Sequence, residues 1–103
     1  MPKVIPKDIS KPEREKLKNL LYTKISKLKT KEEVADFMND VFTESEIIMS
    51  IRRLEIAKML LDEYSYPQIR QKLGAGYDTI KTVRFKIDNG SGGFLKFIKK
   101  LKI

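Results

Sequence analysis

Apolar residues in this 103-residue chain recur at three- and four-residue intervals, and no stretch alternates apolar with polar as a half-buried strand would. Leu17, Leu20, Leu21, Ile25 and Leu28 share one helical face, and Val34, Phe37, Met38 and Val41 share another. Start signals accompany this pattern. A Ser or Thr whose hydroxyl can accept an amide hydrogen is followed three residues later by a Glu or Gln able to reach back to the cap residue's own amide. The pairs are Ser10 with Glu13, Thr30 with Glu33, Thr43 with Glu46 and Ser65 with Gln68. Helices should begin at these four places, with breaks at Lys29, Phe42 and Glu63-Tyr64. The pattern predicts an all-α fold, one domain over residues 1–103, without repeats, linkers or low-complexity segments.

The third segment, Thr43 to Asp62, carries Ile47, Ile48, Met49, Ile51, Leu54, Ile56, Ala57, Met59, Leu60 and Leu61, which fall on more than one face. A helix that is apolar nearly all round has to be covered on several sides. The roughly 40 residues before it can hardly do this alone in so short a chain. A second copy is therefore expected to supply part of the cover in an interlocked homodimer, with residues 1–62 as the dimerisation helices. The alternative is a monomer whose first two helices suffice.

Beyond the central helix the pattern changes to two short helices around a glycine-containing break. Ser65 caps the first, Pro67 lies in its opening turn where an amide hydrogen is not needed, and Ile69 and Leu73 face inward. Leu73-Gly74-Ala75-Gly76 ends it, with Gly74 suited to the left-handed conformation of a helix end. The second helix, from about Tyr77 to Ile87, buries Ile80, Val83 and Ile87. Residues 65–88 thus have the form of a helix-turn-helix, whose second helix enters the DNA major groove by its N-terminal end. The outward residues are Tyr77, Asp78, Thr79, Lys81, Thr82 and Phe85, flanked by Arg84 and Lys86, and hydrogen-bonding and cationic groups there can meet bases and phosphates. A hairpin that only packs the domain is the competing interpretation. Asp78 suits it, because an acid in a first turn favours the helix dipole.

Charge sharpens this picture. Residues 1–31 hold ten bases and three acids (net +7), and residues 32–63 hold three and nine (−6). Residues 64–89 hold five and two (+3), and the last fourteen hold four bases and no acid (+4). The total of +8 is thus concentrated at the two ends of the chain and over the helix pair, as a polyanion partner would require, although a lysine-rich solvated surface would look similar. With no cysteine and no histidine the chain lacks disulfides, thiolate metal sites and the commonest general base, so neither an enzyme nor a metal site is expected. No apolar run approaches a membrane span and the first residues lack a signal sequence, so a cytoplasmic protein is expected. The basic tail, Phe94 to Ile103, could lie on an anionic membrane. The preferred interpretation is a packing helix over residues 91–103, with Phe94, Phe97, Ile98 and Leu101 inward and no membrane contact.

The stretch from Phe42-Thr43-Glu44-Ser45-Glu46 through Arg53-Leu54-Glu55-Ile56-Ala57-Lys58-Met59-Leu60-Leu61 to Ser65-Tyr66 and Leu73-Gly74-Ala75-Gly76 resembles the Trp repressor superfamily. It is most similar to the YerC/YecD group of TrpR-like bacterial proteins, which also carries an Asn-Gly-x-Gly-Gly-aromatic turn, here Asn89-Gly90-Ser91-Gly92-Gly93-Phe94. The resemblance implies an intertwined helical homodimer that binds a palindromic operator in double-stranded DNA. It also implies DNA-contacting roles around Ser65, Arg70, Lys72, Gly76, Tyr77, Asp78, Thr79, Lys81, Thr82 and Arg84. Thr43 and Arg53 fall on effector-pocket positions of the family, and Thr82 stands where the second indole-flanking arginine belongs, with Val83 in place of a glycine. An indole clamp needs two planar cations and the space that valine fills. No cofactor is therefore expected, tryptophan included, and no other effector is assigned. Arg53 has a second expected role, pairing with acidic neighbours on the central helix. Pro67 replaces a base-reading arginine and Arg70 replaces a phosphate-contacting lysine, so phosphate anchoring should persist while base preference shifts. The resulting expectation is a DNA-binding transcriptional regulator, most simply a repressor, with a helical interaction module that binds no DNA as the alternative.

Overall fold

A computed structural model describes residues 4–101, with side-chain placements through Lys100. The tail residues Lys102 and Ile103, and the Leu101 side chain assigned inward above, lie outside this description. The described residues form helices and no strand: a single 3₁₀ turn at Pro6–Asp8, then α1 (Lys11–Ser26), α2 (Lys31–Val41), α3 (Glu44–Leu61), α4 (Tyr66–Leu73), α5 (Tyr77–Asn89) and α6 (Gly93–Leu101). None of these helices is long and apolar enough to cross a membrane. The chain divides into two compact units, Met1–Phe42 and Thr43–Ile103.

Helix starts follow the sequence signals, with one difference in how they are closed. Thr43 and Ser65 form full reciprocal boxes. The Thr43 hydroxyl accepts from the Glu46 amide at 3.1 Å while Glu46 accepts from the Thr43 amide at 2.8 Å, and Ser65 and Gln68 repeat the exchange at 3.3 and 2.8 Å. Ser10 and Thr30 are one-sided caps, accepting from Glu13 and Glu33. The Glu33 carboxylate serves instead the amide of Lys29, one residue before the cap, at 2.9 Å. Ahead of α1 the Arg14 guanidinium donates to the carbonyls of Pro6 and Ile9, both at 2.9 Å, and ties the 3₁₀ turn to the helix.

Within the first unit no described residue is buried; Leu21, Leu28, Phe37, Met38 and Phe42 are half-buried, and Leu17, Leu20, Ile25, Val34 and Val41 are exposed. The Phe37 and Phe42 rings meet at a centroid distance of 6.4 Å.

The second unit holds the core. Helix α3 packs against α4, α5 and α6, and α5 packs against α4 and α6. Ile56, Ala57, Met59 and Leu60 of α3 meet Ile69, Ala75, Ile80, Val83 and Ile98, with Leu61, Tyr66, Leu73, Ile87 and Phe94 packed around them. All the core contributed by α3 thus comes from its C-terminal half. Toward its N-terminus Ile48, Met49 and Ile51 are 45%, 44% and 51% exposed, so the other helices of this unit leave this half of an apolar helix uncovered.

Two chain reversals fix the helix pair on α3. At the end of α3 the Glu63 amide donates to the Leu60 carbonyl and the Tyr64 amide to that of Met59, a Schellman closure. It places Glu63 at φ 67°, a left-handed conformation that normally selects glycine. At the end of α4 the same handedness is met by a glycine: Gly74 has φ 69°, and its amide donates to the Arg70 carbonyl at 2.8 Å. Helix α6 buries Ile98 and half-buries Phe94, as its periodicity predicts, but Phe97 is 57% exposed and points away from the core. A nine-residue helix laid on α3 and α5 can cover only a narrow stripe, and Phe97 falls outside it.

Candidate nucleic-acid interface

Helices α4 and α5 owe their mutual placement to a divided set of side chains. Ile69 is fully buried beneath α4, and Ile80 and Val83 beneath α5, at 0% and 2% exposure. Ala75, in the turn, is buried with them, a contribution that its place between two glycines did not announce. The polar residues at the front of α5, Thr79 apart, are thereby left outside. Tyr77, Asp78, Lys81, Thr82, Arg84 and Phe85 are exposed, and Thr79 is half-buried. Ser65, Arg70, Lys72 and Gly76 are exposed as well. These expected contact residues, Thr79 apart, are thus exposed.

Their local geometry distinguishes them. The Arg70 guanidinium carbon sits 4.8 Å from the centre of the Tyr77 ring, a cation–π contact across the turn. Arg84 pairs with Asp88 one turn on, at 3.2 Å, with both side chains about half exposed. A phosphate would have to compete with that carboxylate. The Thr82 hydroxyl donates to the Asp78 carbonyl at 2.9 Å, which leaves it an acceptor toward any ligand. Gly76 caps α5 without a side chain, so the first amides of the helix have no side-chain cap.

Behind the front of α5 lies the candidate effector region. Arg53, Asp78, Thr79 and Thr82 line a cavity of about 160 Å³, and Arg53 and Thr79 also border a second one of about 220 Å³ with Met49, Arg52 and the backbone of residues 74–76. Thr43 lines neither; its hydroxyl is engaged in the α3 cap. Arg53 forms no ion pair among the described residues, contrary to the pairing expected on the central helix, although Asp78 shares its cavity. Val83 belongs to the core and does not line this cavity, contrary to its expected place in the pocket. No group of three or more acidic, His or Cys side chains that could hold a metal ion occurs among the described residues.

A feature not anticipated from the sequence is an apolar hollow of about 470 Å³ bordered by Leu54, Phe85, Phe94 and Phe97, with Lys86 and Gly90 at its edge. Phe85 is 65% exposed there. Its place on the outer face of α5 was readable; its proximity to Phe97 of α6 was not.

Comparison with known proteins decides the family. The description of the Trp repressor protein family matches residues 15–102. The chain belongs to the Trp repressor family. It is 32% identical over 82 residues to the uncharacterized protein YerC of Bacillus subtilis (strain 168), an alignment spanning 80% of this chain and 79% of YerC. Among solved structures it resembles a TrpR-like protein from Eubacterium eligens ATCC 27750, with a TM-score of 0.76 and 34% identity over 82% of this chain and 88% of that one. It also resembles a candidate Trp repressor from Staphylococcus aureus, with a TM-score of 0.79 and 28% identity over 92% and 97% of the two chains. The TrpR-like, all-helical fold follows from these likenesses together with the helix order. As a Trp repressor family member the chain falls in a family of regulators rather than enzymes.

Proposed function

We propose that this protein is a sequence-specific, DNA-binding transcriptional regulator, acting as a repressor, that binds a palindromic operator as a homodimer through α4 and α5. The observation that carries this reading is the division of α5: its inner stripe completes the core while Tyr77, Asp78, Lys81, Thr82 and Arg84 stay exposed, with Arg70 over the Tyr77 ring across the turn. A hairpin serving only to pack the domain gains nothing from such a front. Dimerisation is supported by the uncovered half of α3, and a two-fold pair would set its two α5 helices about 34 Å apart, one DNA turn. Cytoplasmic localisation accords with this role.

The test is fluorescence anisotropy with specific and random duplexes, the preferred sequence being first selected from random DNA. Arg70→Ala should weaken all sequences alike and lower the salt slope by about one unit, as one lost phosphate contact does. Lys81→Ala should cost about 1–3 kcal/mol on the preferred site and relax preference at one position per half-site. If both variants fold and bind like the parent, the helix pair is structural. The exposed Phe85 beside the apolar hollow favours, in that event, the second reading, a module that binds a protein partner.

A further inference from the structure

Arg70 and Tyr77 belong to different helices and bracket the turn between them. Arg70 lies in the last turn of α4 and Tyr77 opens α5. The Arg70 carbonyl holds the turn through the Gly74 amide, and its guanidinium reaches over the Tyr77 ring at 4.8 Å. The Tyr77 hydroxyl forms no hydrogen bond among the described residues, so within this chain Tyr77 acts through its ring.

A cation–π contact spends no N–H group on a hydrogen bond, and the Arg70 guanidinium makes none among the described residues. Those N–H groups are the part that engages a phosphate in paired hydrogen bonds. A free arginine samples many rotamers and loses them on binding, whereas one already laid on a ring loses fewer. The ring is correspondingly less available to a base, because one face is occupied by the cation.

We infer that Tyr77 is a positioning residue, which orders the Arg70 guanidinium for a DNA backbone phosphate and does not itself read a base. The assignment rests on the DNA-binding reading above and gives Tyr77, one of the residues expected to contact DNA, the role of supporting an anchor instead. It also gives the turn a function in register: the phosphate taken by Arg70 is fixed relative to the first residue of α5, and therefore relative to Asp78 and Lys81.

The experiment compares Tyr77→Phe, Tyr77→Leu, Arg70→Ala and the Arg70→Ala/Tyr77→Leu pair in the full chain, by anisotropy on the selected duplex and on random duplex across a salt series. Thermal unfolding and the side-chain NMR shifts of Arg70 are recorded alongside. Tyr77→Leu should weaken both duplexes equally, by about two- to fivefold, the size of an exposed cation–π contact. Tyr77→Phe should bind like the parent, and Tyr77→Leu should have no further effect once Arg70 is alanine. The ring-induced displacement of the Arg70 side-chain resonances should persist in Tyr77→Phe and vanish in Tyr77→Leu. Loss confined to the selected duplex, an equal loss in Tyr77→Phe, or additive losses in the double variant would each overturn this assignment alone. A well-folded parent that binds neither duplex would overturn the DNA reading and the assignment together.

Discussion

Replacing Ile51 by aspartate separates a shared α3 from a solvated one. In the single chain Ile48, Met49 and Ile51 each keep nearly half or more of their surface in water. Full burial of such a side chain contributes about 1.5–3 kcal/mol, so covering the remaining half is worth about 1 kcal/mol each. Over three side chains in each of two protomers this amounts to about 6 kcal/mol from these positions alone, and a micromolar dimer, which needs about 8 kcal/mol, draws the remainder from other exposed apolar residues such as Leu17, Leu20 and Ile25. Ile51→Asp removes one such increment per protomer and takes a carboxylate out of water, which costs several kcal/mol per ion. The parent should sediment as a dimer at micromolar concentration and melt at a temperature that rises with concentration. The variant should sediment as a monomer and lose much of its helical signal. Ile69→Ala is the control, since Ile69 is fully buried within one chain and its truncation should cost about 2–5 kcal/mol in either case. A parent monomer, with Ile51→Asp inside ±0.5 kcal/mol as a surface change should be, would refute the reasoning.

Two left-handed positions should respond in opposite senses. Glu63→Gly should raise stability by about 1 kcal/mol and Gly74→Ala should lower it by about 1 kcal/mol, read as unfolding midpoints in urea, because a side chain carries the strain at the first site and would introduce it at the second. The hydrogen bonds from the Thr43 amide and hydroxyl hold the Glu46 carboxyl below its usual range. Its folded-state value is thus depressed relative to the unfolded chain, so its contribution is complete above the ordinary glutamate range and disappears as pH falls through the folded value. Glu46→Gln should flatten that acid limb of the melting curve, and an unchanged acid dependence would count against the capping account. Isothermal titration with tryptophan should give no stoichiometric heat, because Thr82 offers no planar cation opposite Arg53; tight binding would mean that other residues rebuild the clamp.

The elements were legible where the chemistry is local. Hydroxyl-to-amide caps at Ser10, Thr30, Thr43 and Ser65 depend on three-residue spacing, and the left-handed end of α4 depends on a glycine at 74. The division of α5 into a buried and an exposed stripe followed from a single period. Spacing does not reveal which amide a flexible carboxylate chooses, so the shift of Glu33 to Lys29 could not be read. Nor could the left-handed Glu63, where the Schellman closure overrides the residue's own preference. The Arg70–Tyr77 contact and the hollow that Phe85 and Phe97 both line depend on how helices cross. Periodicity assigns faces to helices but not the neighbours those faces meet.

The absence of any buried residue along the described part of Met1–Phe42 has a consequence for local opening. Backbone protection follows burial and contact density, so amide hydrogens should exchange on two scales. Those of α4, α5 and the C-terminal half of α3 surround a core and should exchange only with large-scale unfolding. Those of α1 and α2, held within one chain by end caps, the Arg14 clamp and half-buried side chains, should exchange by fraying and be the first backbone a protease reaches. The helix pair could thus remain assembled while the first 42 residues open. Protection measured along α1 and α2 at increasing protein concentration would then report directly on the arrival of a second chain.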